Sequence, residues 1–341
     1  MSKQYRVAVV GATGVVGEEI LAVLAERGFP ASEIVPMASE RSAGSTVELG
    51  EQQLQVQLAT PDAFADFDIV LMSAGGSTSA ELAPAAAAAG AVVIDNSSYW
   101  RMTEGVPLVV PEVNPQDVAG YADKGIIANP NCSTIQMVVA LAPLHRVAPL
   151  RRVLVSTYQS VSGAGKAAMD ELAKQVTDLF NHREVEPEAL PKQIAFNCLP
   201  HIDRFMDDHY TKEEHKMRDE TRKILHADIS VVPTCVRVPV FTGHAESIVA
   251  EFDAPMDADK ARATLREAPG IMLMDTPEET LYPTPIDSVG SDATFIGRLR
   301  DDPSAANSIT FWCVADNLRK GAATNAVQIA ELLVRDHLGA E

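Results

Sequence analysis

The chain has 341 residues, which at about 150 residues per domain predicts two domains, each large enough to bury its own core. Asp and Glu number 47 against 28 Lys and Arg, so the formal net charge is −19. Because a field of that sign repels phosphates at long range, nucleic acid or an anionic membrane is not expected as the main partner.

The N-terminal segment and the cysteines predict a cytoplasmic protein. A short polar start runs directly into the apolar segment 7–10 without a signal-peptide core, and 18 consecutive apolar residues occur nowhere. The spacing of the eight histidines matches no zinc pattern, so we expect no metal. The cysteines are far apart, form no CxxC pair and are expected to be reduced thiols: Cys132, Cys198, Cys235 and Cys313.

The first 130 residues alternate short apolar runs with helical stretches, as a parallel sheet with crossover helices requires. The predicted strands are 5–10, 34–38, 67–72 and 91–95, and the predicted helices are 14–27 and 81–89. Each unit reads strand, turn, helix. We therefore predict an α/β fold with a Rossmann-type dinucleotide-binding domain.

After about residue 150 the apolar runs become longer, which favours a second, mixed α+β domain. Its predicted strands include 152–158, 230–240 and 247–252, with helices at 167–181 and 213–226. An amphipathic helix over 322–338 is expected to return to the first domain. The predicted division is 1–131 plus 322–341 for the dinucleotide-binding domain, and 132–321 for the second domain.

A glycine-rich turn, with glycines at 11, 14 and 17, joins the first predicted strand to the first helix. Its backbone amides and the helix dipole can hold a pyrophosphate. The acid that usually binds the ribose of NAD is expected some twenty residues later, where Ser39-Glu40-Arg41-Ser42 stands instead. A guanidinium between two hydroxyls suits a 2′-phosphate and favours NADP, whereas Glu40 as the ribose ligand is the competing interpretation.

Cys132 follows Asn129-Pro130-Asn131 and begins an apolar helix, where the helix dipole and free amides stabilise a thiolate. Such a nucleophile needs a group that handles protons, usually a histidine. His244 is the one histidine in a distinctive setting, since a strand ends there in a glycine turn that presents it. We expect its pKa to lie near neutrality, as proton transfer at pH 7 requires.

Thr211 and Glu214 have the spacing of a helix capping box. This leaves Glu213 and Lys216, three residues apart on one face, free for other roles. On spacing alone, a surface ion pair is the better interpretation of that pair.

Taken together, these segments resemble the aspartate-β-semialdehyde dehydrogenase family, in the right order and over essentially the whole chain. The cysteine and histidine motifs are highly specific as a pair. The matching segments are Gly11-Ala12-Thr13-Gly14-Val15-Val16-Gly17, Asn96-Ser97-Ser98 with Arg101-Met102, Asn129 to Thr134, Ser156 to Gly165, Glu213 to Lys216, Arg237 to His244, and Asn325 to Ala330.

The resemblance implies an NADPH-dependent reduction of L-aspartyl-4-phosphate to L-aspartate-4-semialdehyde with release of phosphate, towards lysine, diaminopimelate, threonine and methionine. It implies that Cys132 is the nucleophile that forms a thioester, that His244 is the acid/base catalyst, and that Gln159 orients the substrate or the intermediate. It also implies that 132–321 is the catalytic and dimerisation domain, through which a homodimer forms, with a tetramer left open.

The resemblance further assigns Arg237 to the α-carboxylate of the substrate and Glu213 to its α-ammonium. The phosphate is assigned to Arg101, Asn131 and Lys216. The implied cofactor contacts are Gly11, Thr13, Gly14, Val15, Val16, Gly17, Ser39, Arg41, Ser42, Gly75, Ser162, Gly163, Asn325 and Gln328. Tyr99 and His215 depart from the family pattern, which leaves the fine shape of the substrate pocket open.

Two alternatives remain at this point. An N-acetyl-γ-glutamyl-phosphate reductase uses the same thioester chemistry on a longer substrate whose amine is blocked, so an acid directed at an ammonium would serve no purpose there. A catalytically silent relative that only binds a cofactor would be expected to have lost its nucleophile, whereas Cys132, Gln159, Arg237 and His244 are all present.

Overall fold

Two units make up the chain in the computed structural model, which describes residues 3–339. One unit comprises Met1–Asn131 with Ala322–Glu341, and the other comprises Cys132–Gly321. Residues 1, 2, 340 and 341 of the predicted first domain lie outside the described part. None of the described helices is both long and apolar enough to cross a membrane.

The first unit is built on a six-stranded parallel sheet, which confirms the predicted Rossmann class. Its strands follow the order β5-β2-β1-β6-β7-β8. Two of the remaining strands pair as a small antiparallel hairpin, β3 with β4. The elements are β1 (Tyr5–Val10), α1 (Val15–Glu26), β2 (Ala31–Ala38), β3 (Thr46–Leu49), β4 (Gln52–Gln55), β5 (Gln57–Leu58), β6 (Ile69–Met72), α2 (Gly76–Ala88), β7 (Val92–Asp95) and β8 (Ile126–Ala128).

Helix α2 begins five residues before the predicted start at residue 81. Its N-cap is Gly75 and its first residue is Gly76, although glycine disfavours a helix interior. Burial of Leu82, Ala83 and Ala86 holds the helix together in spite of the internal Pro84. Tertiary packing has overridden the local breaker signals here.

The second unit contains a six-stranded mixed sheet in the order β10-β9-β11-β14-β13-β12, as expected for an α+β domain. Strands β9 and β10 are parallel, while β11 runs antiparallel to β9 and to β14. The elements are α3 (Cys132–Val147), β9 (Leu150–Gln159), α4 (Lys166–Phe180), α5 (Lys212–Leu225), β10 (Ser230–Arg237), β11 (His244–Phe252), α6 (Ala258–Arg266), β12 (Ile271–Leu273), α7 (Pro285–Ser288), β13 (Thr294–Asp301) and β14 (Ser308–Ala315).

Two strand ends differ from the sequence prediction. Strand β10 stops at Arg237 rather than at residue 240, because the chain leaves the sheet before Pro239, which has no N–H to donate to a ladder. Strand β11 begins at His244 itself, three residues before the predicted start. His244 is therefore fixed by a strand and not carried on a free turn.

Helix α3 supplies much of the core of the second unit. Met137, Ala140, Leu141 and Leu144 recur at helical spacing and are fully buried in one cluster with residues of β9, β11 and β14. At about 1.5 to 3 kcal/mol for each of the larger buried side chains, Met137, Leu141 and Leu144, the contact fixes where the first turn of α3 lies.

The last helix, α8 (Thr324–Leu333), belongs to the first unit. Its buried residues Val327, Ala330 and Leu333 share the core of that unit with α1. At the surface, the Arg27 guanidinium donates two hydrogen bonds of 2.8 Å to the carboxylate of Glu331. Chain segments from both ends of the sequence thus complete one core.

Candidate active site

Three candidate residues lie along one edge of the sheet in the second unit, the edge formed by the carboxyl ends of β9 and β10 and the start of β11. Gln159 ends β9, Arg237 ends the parallel strand β10, and the two are register partners. His244 begins β11 next to the end of β9, since Ala245 pairs with Tyr158. Because residues opposite each other in neighbouring strands share a face, the three project together from the buried side of the sheet.

Gln159 connects this edge to the helix that begins at Cys132. Its side-chain nitrogen donates to the hydroxyl of Ser133, the second residue of α3, and at 3.0 Å to Glu213. The side chain is buried, and its oxygen has no hydrogen-bond partner among residues 3–339. Gln159 thus offers an acceptor beside the first turn of α3.

His244 is held as a neutral imidazole. Its Nδ1 accepts a hydrogen bond of 3.1 Å from the backbone N–H of Ser160, which places the proton on Nε2. Complete burial, with a smaller contribution from the charge of Arg237, lowers the pKa of His244 to about 3. The expectation of a near-neutral pKa is therefore wrong for this arrangement.

The Nε2 of His244 has no hydrogen-bond partner among the described residues. Gly163 covers this side of the imidazole, since a Cβ there would lie 3.2 Å from Nε2 and 3.1 Å from a terminal nitrogen of Arg237. Gly163 thereby leaves room for both groups. The imidazole presents a fixed N–H donor.

Arg237 and Glu213 form the charged part of the edge. Arg237 is buried and donates 2.7 Å to the carbonyl oxygen of Ser160. Burial lowers the pKa of Arg237, while the charges of Glu213 and Cys132 oppose that change. A buried guanidinium of this kind is suited to binding a carboxylate.

Lys216 is shared between two carboxylates, at 2.9 Å from Glu213 and 2.9 Å from Asp203. Burial opposes its charged form, but the two carboxylates raise the pKa of Lys216 overall. The predicted pair of Glu213 and Lys216 thus exists and is mostly buried. Asp203 was not predicted, because it lies in an irregular segment without a periodic pattern.

Thr211 and Glu214 form the predicted capping box at the start of α5. The second oxygen of Glu214 accepts from the backbone N–H of Cys235 at 3.0 Å, which ties this helix end to β10. The capping box, worth about 1 kcal/mol, therefore also sets the position of Glu213 against the sheet.

Sequence reasoning did not find Asn317, which organises the segment after Gln159. Its side-chain oxygen accepts from the hydroxyls of Ser160 and Ser162 and from the backbone N–H of Gly243. Ser162, predicted to bind the cofactor, is engaged here with Asn317. The only available signal was a pair of polar residues, Asp316 and Asn317, directly after an apolar strand.

The first unit carries the glycine turn between β1 and α1. Gly11 has a positive φ of 81°, and a Cβ on Gly17 would lie 2.1 Å from the carbonyl oxygen of Gly11, so a side chain at either position is excluded. Gly14 is the N-cap of α1 and Gly75 is the N-cap of α2, and neither helix start receives a hydrogen bond from a capping side chain. Uncapped helix starts of this kind fit the pyrophosphate of a dinucleotide.

The segment Ser39–Ser42 forms an exposed turn after β2, in which the Ser42 N–H donates 2.9 Å to the Ser39 carbonyl oxygen. Within residues 3–339 the side chains of Glu40 and Arg41 take part in no hydrogen bond or ion pair. Both are available to a ligand at the end of β2.

Arg101 is buried and fixed by backbone oxygens of the first unit. Its guanidinium donates 2.9 Å to the carbonyl of Asn129 and 2.8 Å to that of Asn96. Asp95 accepts from the Ser97 N–H and from the Ser79 hydroxyl, which also accepts 3.0 Å from the indole N–H of Trp100. This network holds the loop before Arg101.

Two predicted cofactor residues in α8 also make contacts within the first unit. Asn325 is fully buried and donates 2.6 Å to the side-chain oxygen of Asn129 and 3.0 Å to the carbonyl of Val109. Gln328 donates 3.3 Å to Glu112. Asn131 is buried at the end of the same unit.

Of the two residues that depart from the family pattern, Tyr99 is exposed. His215 lies 2.9 Å from Asp208.

Comparison with known proteins gives one consistent result. Residues 6–121 match the family model "Semialdehyde dehydrogenase, NAD binding domain", and residues 141–320 match "Semialdehyde dehydrogenase, dimerisation domain". The chain is 55% identical to the aspartate-semialdehyde dehydrogenase of Aquifex aeolicus, over 98% of this chain and 99% of that protein.

It is also 52% identical to aspartate-semialdehyde dehydrogenase 2 of Vibrio cholerae, over 99% of this chain and all of that protein. A crystal structure of the Vibrio cholerae enzyme complexed with ASA has a TM-score of 0.96 and 52% identity, covering 98% of this chain and 100% of that one.

Proposed function

The chain belongs to the aspartate-semialdehyde dehydrogenase family, and we propose how its own residues carry out the reaction of that family. It is a nicotinamide-dependent oxidoreductase of amino-acid biosynthesis that reduces an aspartyl phosphate to the semialdehyde with release of phosphate. The observation that carries the proposal is the edge where Gln159, Arg237 and His244 lie beside the start of α3.

In the first step the thiolate of Cys132 attacks the carbonyl carbon of the acyl phosphate. A carbon–sulfur bond forms, the bond from carbon to the phosphate oxygen breaks, and phosphate leaves to take up a proton in solvent. The start of α3 favours the thiolate, so this step needs no base at the moment of attack. The resulting thioester is a better hydride acceptor than a carboxylate.

His244 acts as a hydrogen-bond donor in this scheme. The Nδ1 lone pair of His244 accepts the Ser160 N–H, so the imidazole has no lone pair directed at the thiol. This favours a role as hydrogen-bond donor over a role as base. The Nε2–H stabilises the carbonyl oxygen as it gains negative charge in each tetrahedral stage. Gln159 orients the acyl group through its amide.

When bound, the nicotinamide supplies the hydride that reduces the thioester. Collapse of the reduced adduct breaks the carbon–sulfur bond, which returns the thiolate of Cys132 and releases the aldehyde. Arg237 binds the α-carboxylate of the substrate, and Glu213 binds its α-ammonium. We assign the phosphate to Arg101, Asn131 and Lys216, where the positive charge of Lys216 is partly balanced by its two carboxylate neighbours.

We infer that NADP is preferred over NAD. Arg41 is exposed in the turn after β2, in the sequence Ser39-Glu40-Arg41-Ser42, and has no partner within the described chain, which suits a 2′-phosphate. The dinucleotide contacts are the uncapped starts of α1 and α2 and the residues of the glycine turn. We further propose a homodimer formed through the second unit, which matches a dimerisation domain.

The decisive experiment follows NADP reduction by L-aspartate-4-semialdehyde, with and without inorganic phosphate. We expect phosphate-dependent turnover that is lost in Cys132→Ala. N-acetylglutamate semialdehyde serves as the competing substrate and is expected to be inactive. Absence of turnover in a folded protein that still binds NADP would contradict the proposal.

A further inference from the structure

A second set of buried polar side chains lies on the same face of the sheet as Gln159 and His244, two residues further from the strand ends. Glu246 follows His244 by two residues in β11, so the two side chains share one face of the sheet. In register, Glu246 pairs with Thr157 of β9 and with Cys313 of β14. All of these side chains are completely buried.

Helix α3 crosses the same face of the sheet. Gln136 follows Cys132 by four residues, one helical turn, and therefore lies below it on the same side of the helix. The thiol of Cys313 lies 3.7 Å from the carbonyl oxygen of Gln136 and donates to it, which fixes this turn of α3 over β14. Gln136 thus lies on the same side of α3 as Cys132, one turn further along the helix. Glu246 lies on the same face of β11 as His244, two residues further along the strand.

Four polar atoms remain unsatisfied in this layer. Both carboxyl oxygens of Glu246 and both amide atoms of Gln136 lack a hydrogen-bond partner among residues 3–339. Gln136 is near enough to influence Glu246, although the two side chains do not meet at hydrogen-bonding geometry. Buried groups without partners are costly, so these atoms require an explanation.

The surroundings favour the uncharged form of Glu246. Burial raises its pKa well above the usual range, and Gln136 opposes part of that rise. The buried thiols of Cys235 and Cys313 interact with Glu246, and burial raises their pKa values as well. A neutral acid and a primary amide have complementary donors and acceptors, whereas a carboxylate would leave the amide oxygen of Gln136 unpaired.

We propose that Glu246 is a neutral carboxylic acid and that rotation of its side chain closes a cyclic pair with the amide of Gln136, which positions Cys132 against His244. The acid O–H donates to the amide oxygen, and the amide N–H donates to the acid carbonyl oxygen. The pair links α3 to β11 one turn below the nucleophile. The inference rests on the proposed roles of Cys132 and His244, and it makes Glu246 a positioning residue.

Four variants test the pair. Glu246→Leu and Gln136→Leu each remove it, and Glu246→Gln keeps an uncharged group that can still pair with Gln136. The double variant Q136E/E246Q restores an acid–amide pair with the two partners exchanged. All are made in a Cys198→Ser background, because Cys198 is exposed whereas Cys235 and Cys313 are buried.

The measurement is the rate of Cys132 alkylation by iodoacetamide as a function of pH, together with kcat. We expect Glu246→Gln and the exchanged double variant to keep the parental alkylation profile and kcat. Glu246→Leu is expected to shift the profile and to lower kcat by up to about 100-fold, as misplacement of a reacting group by about 1 Å can do.

Two kinetic outcomes would overturn the inference. If Glu246→Gln shifted the profile as much as Glu246→Leu, Glu246 would act through a negative charge. A parental profile and kcat in Glu246→Leu would remove the positioning role. If the leucine variant did not fold, infrared difference spectra would decide, since the carbonyl stretch of a protonated carboxyl must be lost in Glu246→Gln at pH 7.5.

Absence of that infrared difference would also refute a neutral Glu246. Alkylation and infrared spectra need no substrate turnover. A failure of the proposed activity would therefore appear separately, as a normal alkylation profile without reduction of NADP.

Discussion

The protonation state of His244 shows how much a single side chain depends on its surroundings. Burial and Arg237 disfavour the imidazolium, and the Ser160 N–H selects the tautomer that keeps the proton on Nε2. The folded protein therefore holds an imidazole that does not charge in the range where free histidine does. Its contribution to folding must then depend on pH.

The unfolded chain binds a proton at this position below about pH 6.5, whereas the folded chain does not until about pH 3. Stability is therefore lost as the pH falls through 6.5, and the loss grows until about pH 3. When the pH falls from 7.5 to 5.5, we expect the parent to lose about 1.4 kcal/mol of its free energy of unfolding through His244. His244→Asn lacks this titrating group and should not show that loss. Urea denaturation of both proteins at the two pH values measures the difference, and equal pH dependence would contradict the buried neutral state.

Arg41 is the side chain on which cofactor preference is expected to depend. We expect Arg41→Ala to weaken NADP binding by about 10- to 100-fold, the value of one charged hydrogen-bonding contact, and to leave NAD binding almost unchanged. Titration calorimetry with both dinucleotides measures this. Glu40→Ala is the matched control, and an equal loss of both cofactors in Arg41→Ala would remove the proposed 2′-phosphate contact.

At the scale of elements, the sheet edge of the second unit explains what sequence reasoning could find. Helix α3 was correctly expected to begin at Cys132, because Pro130 and the apolar run mark its start. The bounds of β9, α4 and α5 were also predicted to within one or two residues, since apolar period and capping signals are local.

The alignment of Gln159, Arg237 and His244 could not be predicted in the same way. It depends on the register between strands that are distant in the chain, which local patterns do not specify. Asn317 was missed for the same reason, because its partners come from other segments, whereas Asp203 lies in an irregular segment without a periodic pattern. The low pKa of His244 follows from burial that only the assembled sheet creates.

Gly163 belongs to the short turn that follows β9 and covers two of the candidate groups. A Cβ there would crowd both Arg237 and His244 at 3.1 to 3.2 Å. We expect Gly163→Ala to lower kcat/KM by about tenfold or more through displacement of these groups, with little loss of thermal stability. Gly120→Ala, whose Cβ would meet Pro107 at an ordinary 3.6 Å, is the control. Normal kinetics in Gly163→Ala would show that the site tolerates the methyl group.

At the scale of the whole molecule, the acidic charge and the open face of the second sheet are the dominant features. A net charge of −19 keeps copies apart at long range, so association must rely on a local apolar surface. On the side of the sheet away from α3, Tyr158 is partly exposed and its ring lies 5.2 Å from that of Trp312. We propose that two copies meet at this face, because it belongs to the unit that matches a dimerisation domain.

We expect Tyr158→Asp to convert the proposed dimer into monomers, because a carboxylate would be buried without a partner at an apolar contact. Light scattering after size exclusion gives the mass directly. Leu58→Asp, at an exposed apolar position of the first unit, is the control and should remain dimeric. A Tyr158→Asp protein that stays dimeric would place the interface elsewhere.

The two glycine N-caps of the first unit have a consequence for the life of the protein in the cell. In the proposed binding mode, a dinucleotide would supply the capping groups that α1 and α2 lack. Occupancy stabilises the folded form by mass action, by about 2.7 kcal/mol at a hundredfold excess over Kd. Proteases act on transiently opened chains, so the supply of reduced and oxidised dinucleotide would govern how quickly this protein is turned over. A cell depleted of the dinucleotide would therefore also degrade this protein faster.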